Sequence, residues 1–185
     1  MAARRAVELD KDDAVALSCG GFALAYVAGE LDPGIAFIDR ALLLNPNLAT
    51  AWIVSGWVRV WLGEPEVEIE HLARATRLSP LDPLTNRTRT TTAHAHFFAG
   101  RYDEASSRAA MALREWPDYQ TALRIAASSY ALAGRLAEAR NARERLQKLD
   151  PALRISNLKD ELGPYNRPQD IARYIEGLRA AGLPD

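Results

Sequence analysis

The chain has 185 residues, of which 48% are hydrophobic, and its formal net charge is −1 at pH 7. This charge does not favour nucleic acid or an anionic membrane as a partner, and the single cysteine, Cys19, excludes a disulfide framework and a thiolate metal site. Because the sequence shows neither a run of 18 apolar residues nor a signal peptide, we expect a cytoplasmic protein.

A six-residue pattern recurs along the chain. Residues 100–105, Gly-Arg-Tyr-Asp-Glu-Ala, return 34 residues later as Gly-Arg-Leu-Ala-Glu-Ala at 134–139. A proline follows the glycine of each copy after 17 residues, and two earlier glycine–proline pairs have the same spacing. A period of about 34 residues is typical of stacked helix–turn–helix repeats. The four pairs are Gly29/Pro46, Gly63/Pro80, Gly100/Pro117 and Gly134/Pro151.

This spacing predicts an all-α protein, an α-solenoid of antiparallel helix pairs wound into a right-handed superhelix. Each pair consists of a helix A that ends at the glycine and a helix B that ends before the proline. Residues 6–10 match the end of a helix B, so we expect the chain to open in mid-repeat, as a piece of a longer protein. The predicted segments are the end of a preceding repeat at 1–13, four repeats at 14–46, 47–80, 81–117 and 118–151, and a helical cap at 152–185.

Local signals place several helix ends. Asp32-Pro33 suits the N-cap and the first turn of helix B in the first repeat, and Cys19 is expected to be a small buried residue of helix A. In the third repeat, Asp82-Pro83 predicts a helix A about one turn longer than the others, which continues through a cluster of threonines. Residues 152–162 are predicted to form a helix, and a last helix begins at Pro168; this pair would cap the open end of the solenoid.

The second repeat carries a family pattern. Its helix A reads Trp-x2-Ser-Gly at 52–56, and its helix B has Leu72 and Ala75 before Pro80. This arrangement resembles the tetratricopeptide repeat, in which Trp-x2-Leu-Gly-x2-Tyr is followed by Ala-x3-Phe, Ala and Pro. The resemblance implies that the chain binds a protein or peptide through the concave face lined by its A helices. The departures from the pattern are Ser55, Arg59 and Glu68.

The end of the chain carries a second resemblance. Residues 174–184, Tyr-Ile-Glu-Gly-Leu-Arg-Ala-Ala-Gly-Leu-Pro, resemble the C-terminal tails of bacterial multidomain class III adenylate/guanylate cyclases and of related winged-helix regulators. This implies a non-catalytic signalling module from the C-terminal part of such a cyclase, which binds another protein or its own N-terminal domains. The alternatives are the same module in a winged-helix transcriptional regulator, a free-standing scaffold protein, or a free-standing enzyme.

The residue patterns do not indicate catalysis, a cofactor or a metal. Side chains two residues apart on a helix project about 200° apart, so His94 and His96 are not expected to share a metal ion. The sequence contains no glycine-rich nucleotide loop. Glu66, Glu68 and Glu70 lie near the start of a helix B, where a solvated acidic face complements the helix dipole. We therefore predict that this chain is not an enzyme.

Counting back from each repeat glycine predicts the side chains that line the concave groove. The predicted surface is aromatic at one end and basic-polar at the other, and we expect it to take an extended peptide with an acidic residue near Arg87 and Arg124. The alternative is that Trp57 and Trp61 pack on another domain. The pattern also leaves open a homodimer through the exposed N-terminal repeat face. The predicted groove residues are Tyr26, Ile53, Trp57, Trp61, Arg87, Thr90, His94, Arg124 and Ser128.

Overall fold

The computed structural model describes residues 12–80 and 85–185. All regular elements in these two stretches are helices. The contacts within the chain divide it into two compact units, residues 1–85 and 86–185, which we call the N-terminal unit and the C-terminal unit and describe one at a time.

The N-terminal unit contains two helix pairs. Helix α1 packs on α2, α3 packs on α4, and α1 and α2 both contact α3, so the two pairs share one core. Leu17, Ile38 and Leu72 are among its fully buried side chains. The four helices are α1 (Ala14–Ala28), α2 (Leu31–Leu44), α3 (Ala49–Leu62) and α4 (Pro65–Leu78).

Two glycines bring α1 and α2 into backbone contact. A Cβ atom added to Gly21 would lie 2.6 Å from the carbonyl oxygen of Gly34, and one added to Gly34 would lie 2.6 Å from the carbonyl oxygen of Gly21. Any larger residue at either position would force the backbones apart. The first helix pair therefore combines close backbone packing at Gly21 and Gly34 with buried side chains such as Leu17 and Ile38.

The start of α2 differs from the prediction. The helix begins at Leu31 with Glu30 as the N-cap residue, so Asp32 lies in the first turn and is not the N-cap. The reason is the preceding glycine: Gly29 adopts a left-handed φ of 70°, and the Leu31 amide donates to the Gly29 carbonyl at 3.1 Å. The chain can therefore re-enter the helix two residues before the proline.

The C-terminal unit contains two further helix pairs and a C-terminal segment. Helix α6 packs on α7, α7 packs on α8, and α9 packs on α7. Its helices are α5 (Thr85–Phe98), α6 (Tyr102–Glu115), α7 (Gln120–Leu132), α8 (Leu136–Leu149), the 3-10 helix Ile155–Glu161 and α9 (Pro168–Ala180).

The threonine cluster is helical. Thr91 and Thr92 donate their hydroxyl groups to the carbonyl oxygens of Arg87 and Thr88, at 2.7 and 2.8 Å. These bonds to the preceding turn satisfy the hydroxyls within the helix itself. The predicted start of this helix at Asp82-Pro83 lies outside the described residues.

The four repeat glycines end the A helices as the spacing predicts. Each adopts a positive φ between 70° and 83°, which a glycine tolerates without strain. The partition of the chain into repeats with the boundaries given above stays a prediction. The glycines are Gly29, Gly63, Gly100 and Gly134.

The predicted helix at 152–162 is wrong in type, because Ile155–Glu161 forms a 3-10 helix. The Asn157 side chain accepts from the Arg154 amide at 2.8 Å and donates to the Ala152 carbonyl at 3.0 Å. An asparagine that bonds to nearby backbone groups in this way competes with α-helical hydrogen bonding. The last predicted helix is present as α9.

Candidate interaction surface

Four aromatic side chains of the two A helices meet in the N-terminal unit. We call Phe22 and Tyr26 of α1 and Trp57 and Trp61 of α3 the aromatic cluster. The rings of Phe22, Tyr26 and Trp61 are nearly parallel, with centroids 5.6 to 5.9 Å apart and interplanar angles of 7° to 25°. Trp57 joins through Trp61, at a centroid distance of 5.8 Å. Aromatic pairs at these separations attract each other beyond the area they bury.

The aromatic cluster is open to solvent on one side. Tyr26 is 56% exposed, whereas Trp61 is 3% exposed, and Phe22 and Trp57 are half-buried. Trp61 is thus the buried centre of the cluster and Tyr26 its exposed edge. The prediction omitted Phe22, although its position four residues before Tyr26 places both on one face of α1. The predicted residue Ile53 is buried in the same unit.

In the C-terminal unit, the corresponding face of the A helices is covered by the chain's own C-terminal segment, residues 155–180. Ser128 of α7 donates its hydroxyl to the carbonyl oxygen of Tyr174 at 3.1 Å. The His94 ring meets the Tyr174 ring edge-on, with centroids 5.8 Å apart. Arg124 donates to the Glu161 carbonyl oxygen at 3.2 Å and lies 3.5 Å from its carboxylate. Three predicted groove residues therefore contact the chain itself.

The C-terminal segment packs as tightly as a core element. Tyr174 is 1% exposed and contacts the rings of Phe97 and Phe98 at 5.5 and 6.2 Å. A Cβ atom added to Gly177 would lie 2.1 Å from the Ser128 hydroxyl oxygen and 2.8 Å from the Ser128 carbonyl oxygen. Helix α9 can thus approach α7 this closely only because residue 177 is a glycine.

This packing shifts the pKa values of two buried groups, His94 and Tyr174. Burial, the largest cause, and the positive charge of Arg124 together lower the pKa of His94 to about 4, although the bond to the Thr90 carbonyl opposes the shift. In that bond His94 donates through Nδ1, at 2.8 Å. Burial also raises the pKa of Tyr174. His94 is therefore neutral at pH 7 and serves as a core residue.

The remaining predicted groove residues are divided between surface and interior. Arg87 is exposed, and Thr90 is fully buried. The structure thus brings the rings of Tyr26, Trp57 and Trp61 together, with Tyr26 exposed, and places His94, Arg124 and Ser128 in contact with residues 155–180. Whether any of them contacts a partner stays a prediction.

Glu68 corrects the expectation of a solvated acidic face. Its side chain is fully buried and both carboxylate oxygens lack a hydrogen-bond partner. Burial raises the pKa of Glu68 well above its ordinary value. Glu68 lies next to Gly56 of α3, where an added Cβ would be in ordinary contact with the Glu68 Cγ, at 3.5 Å. The carboxylate is thus enclosed between α3 and α4.

Two other departures concern α1 and α3. Cys19 is exposed, not buried as expected. Arg59, which stands where the tetratricopeptide pattern has tyrosine, donates to both carboxylate oxygens of Asp39 at 3.0 and 2.9 Å and to Glu64 at 2.6 Å. Arg59 thus links α3 to α2 and to the start of α4 by charge-assisted hydrogen bonds.

One serine–histidine pair resembles part of a catalytic site. The Ser55 hydroxyl lies 2.9 Å from Nδ1 of His71, but Ser55 is fully buried, so a substrate cannot reach its oxygen. The described residues contain no group of three or more potential metal ligands. Among the helices of the described stretches, none has the length and apolar character needed to cross a membrane.

Comparison with known proteins relates the chain to solved helical-repeat structures. PilW, a widely conserved type IV pilus biogenesis factor, is 18% identical and superposes with a TM-score of 0.74 over 97% of this chain and 78% of that chain. YrrB, a TPR protein with an unusual peptide-binding site, is 20% identical with a TM-score of 0.63, over 98% of this chain and 91% of that chain. The fold is a tetratricopeptide-type α-solenoid.

A further solved structure agrees. MamA is 17% identical, with a TM-score of 0.64 over 88% of this chain and 84% of that chain. No family model matches the sequence, and no curated protein matches it. At these identities the likeness establishes the α-solenoid fold and its helix pairs.

Proposed function

We propose that the chain is a protein-interaction module that binds a protein or peptide through the aromatic cluster of its N-terminal unit. The supporting observation is the gathering of four aromatic rings from two A helices on one face, with Tyr26 more than half exposed. Tyrosine and tryptophan are the residues that most often dominate binding energy at protein interfaces. A fold shared with YrrB, a protein with a peptide-binding site, is compatible with this role.

In this proposal six of the nine predicted groove residues have assigned roles. Tyr26 and Trp57 contact the partner, and the buried Trp61 supports their rings from within the unit. His94, Arg124 and Ser128 hold the C-terminal segment, because their polar atoms and rings already bind Tyr174 and Glu161. The sequence predicted that an acidic residue of the partner binds Arg124. Such a residue would have to compete with Glu161 for the Arg124 guanidinium.

The test is selection of peptides from a displayed random library on the immobilised full chain. Peptides enriched on the wild-type protein should bind the Tyr26→Ala and Trp57→Ala variants at least several-fold more weakly. The matched control is Trp116→Ala, which removes another exposed aromatic, 42% exposed, from the C-terminal unit. Peptides that bind both cluster variants as well as the wild type would reject the aromatic cluster as the binding surface.

The parent context is a separate proposal, supported by the resemblance of residues 174–184. We propose that the module is part of a bacterial class III adenylate/guanylate cyclase, in which it contributes scaffolding and no chemistry; the alternative parent is a winged-helix regulator. The upstream reading frame decides between them, since it would encode a cyclase domain or a winged helix. Cyclic nucleotide formed by the 185-residue chain from ATP and a divalent metal would overturn the non-catalytic role.

A further inference from the structure

Charge is unevenly distributed between the two units. Residues 12–80 carry four arginines, no lysine and nine acidic residues, whereas residues 86–185 carry 16 basic and 12 acidic residues. Even if Glu68 is uncharged because of its burial, the described part of the N-terminal unit has eight other acidic residues and only four arginines. Of those arginines, Arg40 and Arg59 lie in ion pairs with acids of the same unit.

Five of these nine acidic residues lie at the end of the helix pairs where Tyr26 and Trp61 stand. Tyr26 and Trp61 are in the last turns of α1 and α3, and each is followed directly by a turn into helix B. The connections at residues 29–30 and 63–64 and the first turns of α2 and α4 contain no basic residue and five acidic ones, Glu30, Asp32, Glu64, Glu66 and the buried Glu68. Arg59, in the last turn of α3, is paired with Glu64. Negative potential is therefore concentrated beside the open aromatic face.

From this juxtaposition we propose that the partner segment docked on the aromatic cluster bears arginine. The inference rests on the proposed function and specifies its ligand. A guanidinium group is planar, stacks on the faces of tryptophan and tyrosine, and is weakly hydrated. Tyr26, the exposed edge of the aromatic cluster, offers such a ring to solvent, and the acidic turns favour a cation there.

The chain itself contains an example of this contact. In the C-terminal unit, the guanidinium carbon of Arg135 lies 4.7 Å from the centroid of the Tyr130 ring. The proposed partner replaces the acidic peptide expected from the sequence, because Arg124, one of the two arginines that were to bind it, is bonded to Glu161 within the chain. The open aromatic face thus fits a basic segment of another protein.

The experiment compares three labelled decapeptides in which glycine alternates with arginine, lysine or glutamate, by fluorescence anisotropy with the full chain. The arginine peptide should bind roughly 3- to 10-fold more tightly than the lysine peptide of equal charge, and the glutamate peptide should not bind. Tyr26→Ala should reduce arginine-peptide binding to the level of the lysine peptide. Tyr26→Phe, which keeps the ring, and the control Trp116→Ala should leave it unchanged.

Equal affinity for the arginine and lysine peptides would overturn the inference, as would arginine-peptide binding that Tyr26→Ala leaves intact. The displayed-library selection separates this failure from that of the proposed function. Tyr26-dependent peptides without arginine would leave the interaction surface standing and reject its basic ligand. Concentration-dependent self-association abolished by Tyr26→Ala would show that a second copy of the chain occupies the surface and would also overturn the inference.

Discussion

The face formed by the A helices is open to solvent in the N-terminal unit and covered in the C-terminal unit. In the N-terminal unit this face carries stacked aromatic rings with an exposed edge at Tyr26. In the C-terminal unit it is covered by α9, whose Tyr174 contacts three rings of α5. The comparison shows that the same inner face of a helical repeat can be open or covered, and that among the described residues the covering segment is 155–180 of the C-terminal unit.

Each unit contains a fully buried side chain whose pKa is strongly shifted, an acid in one and a base in the other. Glu68 is a buried acid whose pKa is raised by burial, and His94 is a buried base whose pKa burial lowers. In both cases the interior favours the neutral form. Acid therefore destabilises the C-terminal unit through His94, whereas base destabilises the N-terminal unit through Glu68.

The largest expected effect comes from removing the ring that covers the C-terminal unit. Tyr174→Ala should lower the free energy of unfolding by about 3–5 kcal/mol, since it empties a fully buried aromatic site. Tyr26→Ala, at the exposed cluster, should cost about 1 kcal/mol or less. Urea unfolding followed by circular dichroism measures both. A cost for Tyr174→Ala as small as that for Tyr26→Ala would mean that the C-terminal segment is not part of the core.

The next effect is the loss of stability on acidification. His94 has a folded pKa of about 4, below its ordinary value of about 6.5, so the unfolded chain binds the extra proton. The contribution of neutral His94 to the free energy of unfolding is fully present above pH 6.5. It is lost as the pH falls towards 4, and the loss is on the order of 3 kcal/mol. His94→Gln should flatten this part of the pH dependence in urea unfolding. An unchanged slope between pH 6.5 and 4 would contradict the assignment of a buried neutral imidazole.

The close contact at Gly177 should be more sensitive than a comparable glycine in the N-terminal unit. Gly177→Ala should cost about 1–3 kcal/mol, despite the better helix propensity of alanine, because the new Cβ meets the Ser128 backbone. At Gly56 the three nearest atoms to the new Cβ are side-chain atoms, with Leu72 at 2.7 Å, and side chains shift more easily than backbone. Gly177→Ala should therefore have a lower melting temperature than Gly56→Ala in thermal unfolding. The reverse order would refute the tight α7–α9 contact.

The smallest effect is a stabilisation. Glu68→Gln removes a buried acid whose folded pKa is raised, so the wild-type stability is full below about pH 4.5 and falls as the pH rises towards the folded value. The variant should exceed the wild type by more than about 0.5 kcal/mol at pH 7, and the gain should vanish at pH 4. The control Glu70→Gln, at an exposed position, should change stability by less than about 0.5 kcal/mol. A destabilised Glu68→Gln protein would indicate a favourable role for the charge.

Much of the fold could be predicted from the positions of glycine and proline. The repeat glycines end helices because a left-handed residue terminates helical hydrogen bonding, and their spacing is visible in the sequence. The threonine-rich α5 could also be placed, because the repeat period outweighed the low helix propensity of threonine. The regular spacing ended at Pro151, and there the prediction of an α-helix at 152–162 was wrong.

Whether the inner face is open or covered by another segment could not be predicted from the sequence. Helical periodicity identifies which residues share a face, but not which later segment covers it, so the burial of His94 and Arg124 beneath residues 155–180 left no signal in their own helices. Glu68 was predicted to lie on a solvated face because it is near the start of a helix, where negative charge complements the helix dipole. Its burial depends on packing against another helix, α3, next to Gly56.

The central claim, that the open surface lies in the N-terminal unit and the covered one in the C-terminal unit, is tested most directly by hydrogen exchange. Exchange is measured by mass spectrometry on the full chain, with and without a peptide selected from the library. The account predicts slower exchange on peptide binding in residues 14–28 and 49–62, and unchanged exchange in 120–132 and 168–180. Protection confined to 120–132, with faster exchange in 168–180 as α9 is displaced, would contradict it.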